Sequence, residues 1–410
     1  MNDCGGIMWD IGIIGGGASA MAAAIAAASQ CEGLSICILE KKDSLGKKLT
    51  ATGNGKCNLT NAACPNVRET LEFFSSLGII TRTDEQGRIY PYSQQAADVV
   101  YGMVRQLKAL GVQAKCGCGV QQVDKDANGF AVTCSGGEKL SAGRLLIAAG
   151  GKAAPQFGTS GDGYSFARRL GHKVTRLSPS LTALDVQEDF RRLKGIRVRA
   201  AAGLWKDDQL VSQEEGEVQF TADGVSGICI FNLSRLVKFE EHESFLEGIG
   251  RYRICLDVLP HMNLPQTEDF LWERRRISRL KAKDLLLSVV PAALAEKLMS
   301  TIQTDGDMKA ADLSHEQIAS LAGILKQWNL HLSGVKGWKQ AQCTSGGVDL
   351  SQVNEMTMES RLVRGLYFAG EILDYDGPCG GFNLQNAWET GIKAGKAMAA
   401  SLQSEKTKEE

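Results

Sequence analysis

Gly15, Gly17 and Ala20, in the stretch GGGASA, are spaced as Gly-x-Gly-x-x-Ala, and an acid, Glu40, follows about twenty residues later. Residues of these types at this spacing do one kind of chemistry. Gly15 permits a tight turn, Gly17 lets the backbone approach a pyrophosphate, and Ala20 is small enough for a helix to lie on a sheet. The N–H groups of a helix start at Ala18 and Ser19 face the phosphates, and the helix dipole favours their charge. Glu40 stands where a carboxylate accepts hydrogen bonds from ribose hydroxyls, which argues for a ribose without a 2′-phosphate. A ligand with both parts is a dinucleotide.

The elements needed to position these residues are legible. IGII, within Trp9 to Ile14, is apolar and β-branched and predicts a strand; MAAAIAAAS after the turn is a run of strong helix formers. A second strand, Ser35 to Leu39, ends at Glu40. The order strand, glycine turn, helix, strand, acid is that of a Rossmann-type half.

The glycine pattern alone does not separate NAD from FAD. Three further features favour FAD. RLLIAAGG, residues 144–151, reads as a strand ending in small residues, Ala149 and Gly150 among them, which lets the chain pass close to a flat group. GLYFAGE, residues 365–371, reads as another buried strand, expected to lie beside the first one; Gly370 and Glu371 at its end would face the ribityl hydroxyls. A helix of roughly Asn383 to Leu402 follows Gly380 and Gly381, and its positive end, with Asn383 and Leu384, can face the N1 and C2 carbonyl edge of a flavin.

KKLTATGNGKCNLTN, residues 47–61, is too polar and glycine-rich for a strand or helix and reads as a loop folded closely around something anionic or planar. It contributes Lys47, Lys48, Gly53, Asn54, Cys57 and Asn58 to the expected cofactor set, which also includes Val120. Cys57 has no resolving partner nearby and reads as a packing residue. Tyr90 and Tyr92, in RIYPY, are the candidate proton donors on residue type, with amphipathic packing the alternative.

By these motifs the chain resembles the YhiN/BaiN-type family of flavoproteins, which includes aminoacetone-oxidase-like members and a bile-acid reductase. The likeness runs through GGGASA, TGNGKCNLTN, GRIYPYS, AAGGKAAPQFGTSGDGYSFARRLGH, EVQFTADGVSGI and the long block from GWKQAQCTSGG to NLQNAWETG. It covers nearly everything except about 235–330. Many members have Arg where Lys56 stands, His at Ala222, Pro at Ile228 and Lys at Arg361. Lys56 and Arg361 keep charge; Ala222 and Ile228 fall where substrate is expected.

The resemblance implies an α/β fold: a Rossmann-type FAD-binding domain, discontinuous over 1–185 and 335–410, with an inserted β-rich, barrel-like domain over 186–334. A small helical subdomain of about 262–325 is expected within the insert, where WERRRISRLKAKDLLLSVV and AALAEKLMSTI have helical period. Ser404 to Glu410 reads as a short disordered tail. No second strand-glycine-helix unit is convincing, and no Cys-x-x-Cys or Cys-x-x-x-x-Cys redox pair accompanies the first; NADH would visit as a transient donor. The implied chemistry is hydride transfer to a substrate, and three functions stand open. One is an ene-reductase of conjugated 3-oxo steroids such as 3-dehydro-Δ4,6 bile acids, with NADH as donor. The second is an aminoacetone-type amine oxidase using oxygen. The third is a non-enzymatic interaction or RNA-associated protein stabilised by FAD.

Composition bounds the partners. A net charge of −1 over 410 residues gives no electrostatic argument for nucleic acid, and the run Arg274-Arg275-Arg276 sits among acids. A small, apolar substrate is expected. No apolar stretch reaches the ~18 residues of a spanning helix. Twelve scattered cysteines read as reduced thiols of a cytoplasmic protein, and five dispersed histidines give no metal-ligand spacing.

Overall fold

The computed structural model describes residues 8–239, 242–277 and 279–409. The chain forms two compact units: Met1–Pro179 with Gln342–Glu410, and Ser180–Ala341.

The first unit is built on an open sheet. β1 (Met8–Ile14) pairs in parallel with β2 (Ile36–Glu40) on one side and with the strand Lys139–Ile147 on the other. Strands buried on both faces need continuous apolar runs, and Ile11, Ile13, Ile36, Ile38, Leu145 and Leu146 supply them at no more than 1% exposure. Between β1 and β2 runs α1 (Ala18–Gln30), whose alanines are buried almost throughout because a second helix covers its other side. That helix is the C-terminal one, Phe382–Glu409. A Cβ added at Gly391 would stand 2.4 Å from Ser19 O, and one at Gly395 would stand 2.1 Å from Ala23 O. Only glycine at this i, i+4 pair permits so close an approach.

The strand Leu366–Phe368 is placed differently from expectation. It pairs in parallel with Lys139–Ile147 (Leu366 with Leu145, Phe368 with Ile147), one strand removed from β1. Both edges of β1 are already taken, whereas the antiparallel neighbour of Lys139–Ile147 covers only its first half, Lys139 to Ala142. The free edge from Leu145 onward receives the C-terminal strand.

Three further segments correct the sequence reading. Residues 47–61 are not a plain loop: Lys47–Ala51 is a short α-helix, Thr52–Gly55 a turn of 3-10 helix, and Thr60–Asn61 a strand paired with Arg88–Pro91. The tail is ordered, since the last helix continues to Glu409; Glu410 lies outside the described residues. Cys118 and Cys134 are joined by a disulfide, against the expectation that every thiol is reduced.

In the second unit six antiparallel strands close a barrel: Leu184–Val186, Gly224–Ser226, Gln209–Phe220, Arg197–Lys206, Tyr252–Asp257 and Trp328–Val335. Along the last of these, buried and exposed residues alternate, the period of a strand with one wet face. Phe190 meets Phe220 and Trp328 edge-on in the interior, with ring centroids 5.1 and 5.6 Å away. Helices Leu264–Arg275, Ala292–Thr301 and His315–Lys326 share this core. The stretch between the first two carries only the 3-10 turn Ala282–Leu286, so its helical period does not extend into an α-helix.

Candidate functional site

The first unit gathers the candidate residues at the carboxyl ends of its parallel strands. Gly15 has φ +101°, and a Cβ there would stand 2.5 Å from Ala148 O, so the turn after β1 requires glycine. Gly17 differs. It caps α1 with φ −84° and no side-chain hydrogen bond, α1 has no acid in its first turn, and a Cβ on Gly17 would meet nothing within 4 Å. The helix start is open and its N–H groups lack a side-chain acceptor, which is what a pyrophosphate needs. Glu40 ends β2 with Oε2 accepting from Gly16 N–H and Oε1 from Lys42 N–H, both at 2.7 Å. Each carboxylate oxygen keeps a second lone pair for ribose hydroxyls. Cys118 N–H donates to Glu40 O at 2.9 Å, which brings the segment leading into Val120 to the same place.

The C-terminal residues reach this site through side chains. Ser19 Oγ donates to Ala369 O at 3.2 Å, and a Cβ on Gly370 (φ +79°) would stand 2.5 Å from that hydroxyl. Lys48 Nζ lies 2.6 Å from Glu371 Oε2, while Glu371 Oε1 accepts from Thr344 N–H at 2.9 Å. Thr344 Oγ1 in turn accepts from the N–H groups of Lys152 and Ala153, at 2.7 and 3.1 Å, fixing the chain just past Ala149 and Gly150. Lys47, by contrast, turns to Asp43 at 2.7 Å on the surface.

The segment 52–61 is bound to the crossing before the last helix. Thr60 Oγ1 donates to Gln385 Oε1 at 2.6 Å, Asn61 Nδ2 to Gly380 O at 2.9 Å, and Trp388 Nε1 to Leu59 O at 2.9 Å. A Cβ on Gly381 would stand 2.5 Å from Thr60 O. Asn383 holds Gly377 by both its N–H and its carbonyl, each at 2.9 Å, shaping the turn; Leu384 packs on the core. Gly53, Asn54 and Cys57 all have positive φ, 55–58°, so the chain bends sharply there. Asn58 Oδ1 is buried without a hydrogen-bond partner. Such an orphan costs about 1–3 kcal/mol unless a ligand group satisfies it. The open helix start, the acid after β2 and this orphan together fit a dinucleotide with a planar polar ring.

Burial pushes the Cys57 thiol up to about 12, so it is neutral and packed. Tyr90 is half-buried in the strand Arg88–Pro91, with its ring 4.0 Å from the Cβ position of Gly53. Tyr92 lies beyond that strand and is 67% exposed. Sequence reasoning missed Thr344, Thr60 and Gln385, whose roles come from long-range contacts with no local period. Among the described residues no His, Cys, Asp and Glu cluster could hold a metal ion, and no helix is long and apolar enough to cross a membrane.

A family model described as the HI0933-like protein Rossmann domain matches residues 66–397, and one described as an NAD(P)-binding Rossmann-like domain matches residues 13–61. The chain is 37% identical to the 3-dehydro-bile acid delta(4,6)-reductase of Clostridium scindens, over 95% of this chain and 98% of that protein. It is 27% identical to the ribosomal RNA dihydrouridine synthase of Escherichia coli K12, over 97% and 99%. Among solved structures, a 3-ketosteroid delta1-dehydrogenase from Sterolibacterium denitrificans aligns with a TM-score of 0.52 at 12% identity, over 96% of this chain and 100% of that one, a likeness of fold. The chain belongs to the HI0933-like Rossmann family and is a flavin-dependent oxidoreductase.

Proposed function

We propose that the protein is an FAD-dependent ene-reductase that saturates a carbon–carbon double bond conjugated to a carbonyl, with 3-oxo-Δ4,6 bile acids as its substrate class and NADH as donor. The observation that carries this reading is the identity of 37% to a bile-acid reductase along almost the whole of both chains. FAD, when bound, supplies the hydride. The chain's own residues do the rest. The start of α1 at Gly17 to Ser19 binds the pyrophosphate, and Glu40 orients the adenosine ribose. Glu371, fixed by Lys48 and Thr344, accepts from the ribityl chain. Asn58 and the start of the last helix satisfy the polar edge of the ring. Tyr90 is the candidate group to deliver a proton to the substrate carbon next to the carbonyl, since it stands against the Gly53 bend whereas Tyr92 faces solvent.

A second reading has its own support. The ribosomal RNA dihydrouridine synthase of Escherichia coli covers 97% of this chain, and a dihydrouridine synthase also saturates a double bond conjugated to a carbonyl, in a uracil ring. The two readings share the reaction and differ in substrate. The test is anaerobic: the yellow protein is bleached with NADH and then mixed with a 3-oxo-4,6-diene bile acid or with uridine-containing RNA. Recolouring by the steroid alone supports the first reading. Recolouring by RNA alone transfers the assignment to the second, and bleaching by aminoacetone in place of NADH would point to an amine oxidase.

A further inference from the structure

Beside the hairpin formed by Thr81–Thr83 and Arg88–Pro91 lies a depression of about 500 Å³, bordered by Lys56, Arg82, Asp84, Glu85, Arg88 and Tyr90. Its charges do not cancel uniformly. Asp84 is turned onto its own chain: Oδ1 accepts from the N–H groups of Gln86 and Arg88, both at 2.9 Å, and Oδ2 pairs with Arg88 Nε at 3.1 Å. That pair is closed, and Arg88 Nε, though buried and near a carboxylate, has no well-aligned acceptor. Arg82 is exposed and makes no ion pair with a described residue, so its charge is unspent. Lys56 is exposed and makes no ion pair with a described residue. Two uncommitted cations and one uncommitted acid, Glu85, therefore line the depression together with Tyr90.

The position of the depression adds to its charge. Tyr90 touches the Gly53 bend, 4.0 Å from the Cβ position there, and Arg88 Cγ lies 3.9 Å from the Cβ position of Gly380. The wall is thus continuous with both segments assigned to the flavin ring. A molecule seated here borders the place of reaction, and surplus donors on one side of it suit an oxygen anion.

We infer that this depression receives the carboxylate or phosphate of a small molecule that reacts at the flavin, held chiefly by Lys56 and Arg82. The inference rests on the ene-reductase reading, which supplies two such molecules: a nicotinamide donor, with its pyrophosphate, and a bile acid, with its carboxylate.

The experiment compares the wild-type holoprotein with Lys56→Met and Arg82→Gln, both exposed positions where folding is checked by circular dichroism. Bleaching by NADH and recolouring by the 3-oxo-4,6-diene bile acid, and by its neutral methyl ester, are followed separately by anaerobic stopped flow. If the donor's phosphates bind here, the concentration giving half-maximal bleaching rises about tenfold and recolouring is unchanged. If the carboxylate binds here, the half-maximal concentration of the acid rises about tenfold and that of the ester does not. Either result supports the inference. Unchanged half-reactions, or equal losses for acid and ester, would overturn it.

Calorimetric titration with inorganic pyrophosphate and with cholate gives a second readout independent of turnover. Weaker binding of one of them in both variants supports the site. Binding of a uridine-containing oligonucleotide more tightly than either small anion, lost in the variants, would overturn it in favour of a polymer surface. Should the wild type react with neither NADH nor the steroid, the ene-reductase reading has failed, and the calorimetry still decides the anion site.

Discussion

Lys48 Nζ lies 2.6 Å from Glu371 Oε2, an ion pair between side chains 323 positions apart. Both side chains are about four-fifths buried, and the Thr344 amide fixes the other carboxylate oxygen. The contact joins the segment after β2 to the C-terminal strand end, so each end of the chain completes what the other begins. Glu371→Gln keeps the shape and removes the charge. It is expected to weaken FAD binding about tenfold and to lower the stability of the apoprotein by about 1–2 kcal/mol, the Lys48 charge being left largely buried without its partner. Fluorescence titration with FAD and urea unfolding check the two effects.

The helix pair makes a sharper structural prediction. Gly395→Val places carbon atoms where Ala23 O already stands, 2.1 Å from the added Cβ. Overpacking of this kind costs about 1–3 kcal/mol or more. Urea unfolding is expected to show that loss, with flavin lost as α1 is displaced. A variant as stable as wild type would mean that the two helices can separate without cost.

Much of this was legible in the sequence because it is local. The glycine turn, the helix formers after it and Glu40 lie within one βαβ half, and each type is dictated by short-range geometry. The buried strand at 366–368 was also visible, since an all-apolar run bounded by glycines has few other uses. Its neighbour was not: strand order depends on which edges remain free, and the partner of Lys139 to Ala142 decides that from elsewhere in the chain. Residues 47–61 misled for a related reason. Their glycines and asparagines bend the chain at Gly53, Asn54 and Cys57, yet Lys47 to Ala51 still winds one helical turn because Leu49 packs into the core. The Cys118–Cys134 pair is separated by 16 positions, with no spacing rule to announce it.

His172 predicts a pH dependence of stability. Ser360 Oγ already accepts from the N–H groups of Leu362 and Val363, so its own proton goes to His172 Nε2 at 2.7 Å. The imidazole proton then resides on Nδ1, which is buried and unpartnered. Burial lowers the tendency of this ring to protonate. Because the folded pKa lies below the unfolded value of about 6.5, stability is full above that pH and declines as the pH falls from there toward the folded pKa. Unfolding free energies measured between pH 5 and 8 should fall on the acid side, and His172→Gln should flatten that part of the profile.

Cys57 supplies a negative prediction. Burial holds its thiol far above neutral pH, so it stays protonated at pH 8. Native protein should resist alkylation at Cys57 while exposed Cys116 reacts, as peptide mapping after iodoacetamide would show. Cys57→Ala should retain reductase activity to within a few-fold; complete loss with the flavin still bound would give the thiol a chemical role.

The central claim is that the turn after β1 and the C-terminal crossing build one flavin cradle, and Gly17 tests it most directly. Its φ is ordinary and nothing lies within 4 Å of a Cβ there, so Gly17→Val costs the fold little, yet its side chain would fill the space in which the proposed cradle holds the pyrophosphate. The decisive measurement is equilibrium titration of the apoprotein with FAD, read by the visible spectrum. The account predicts one FAD per wild-type chain and at least a hundredfold weaker binding in a folded Gly17→Val. A wild-type chain that binds no flavin, or a variant that binds it as tightly as wild type, would contradict it.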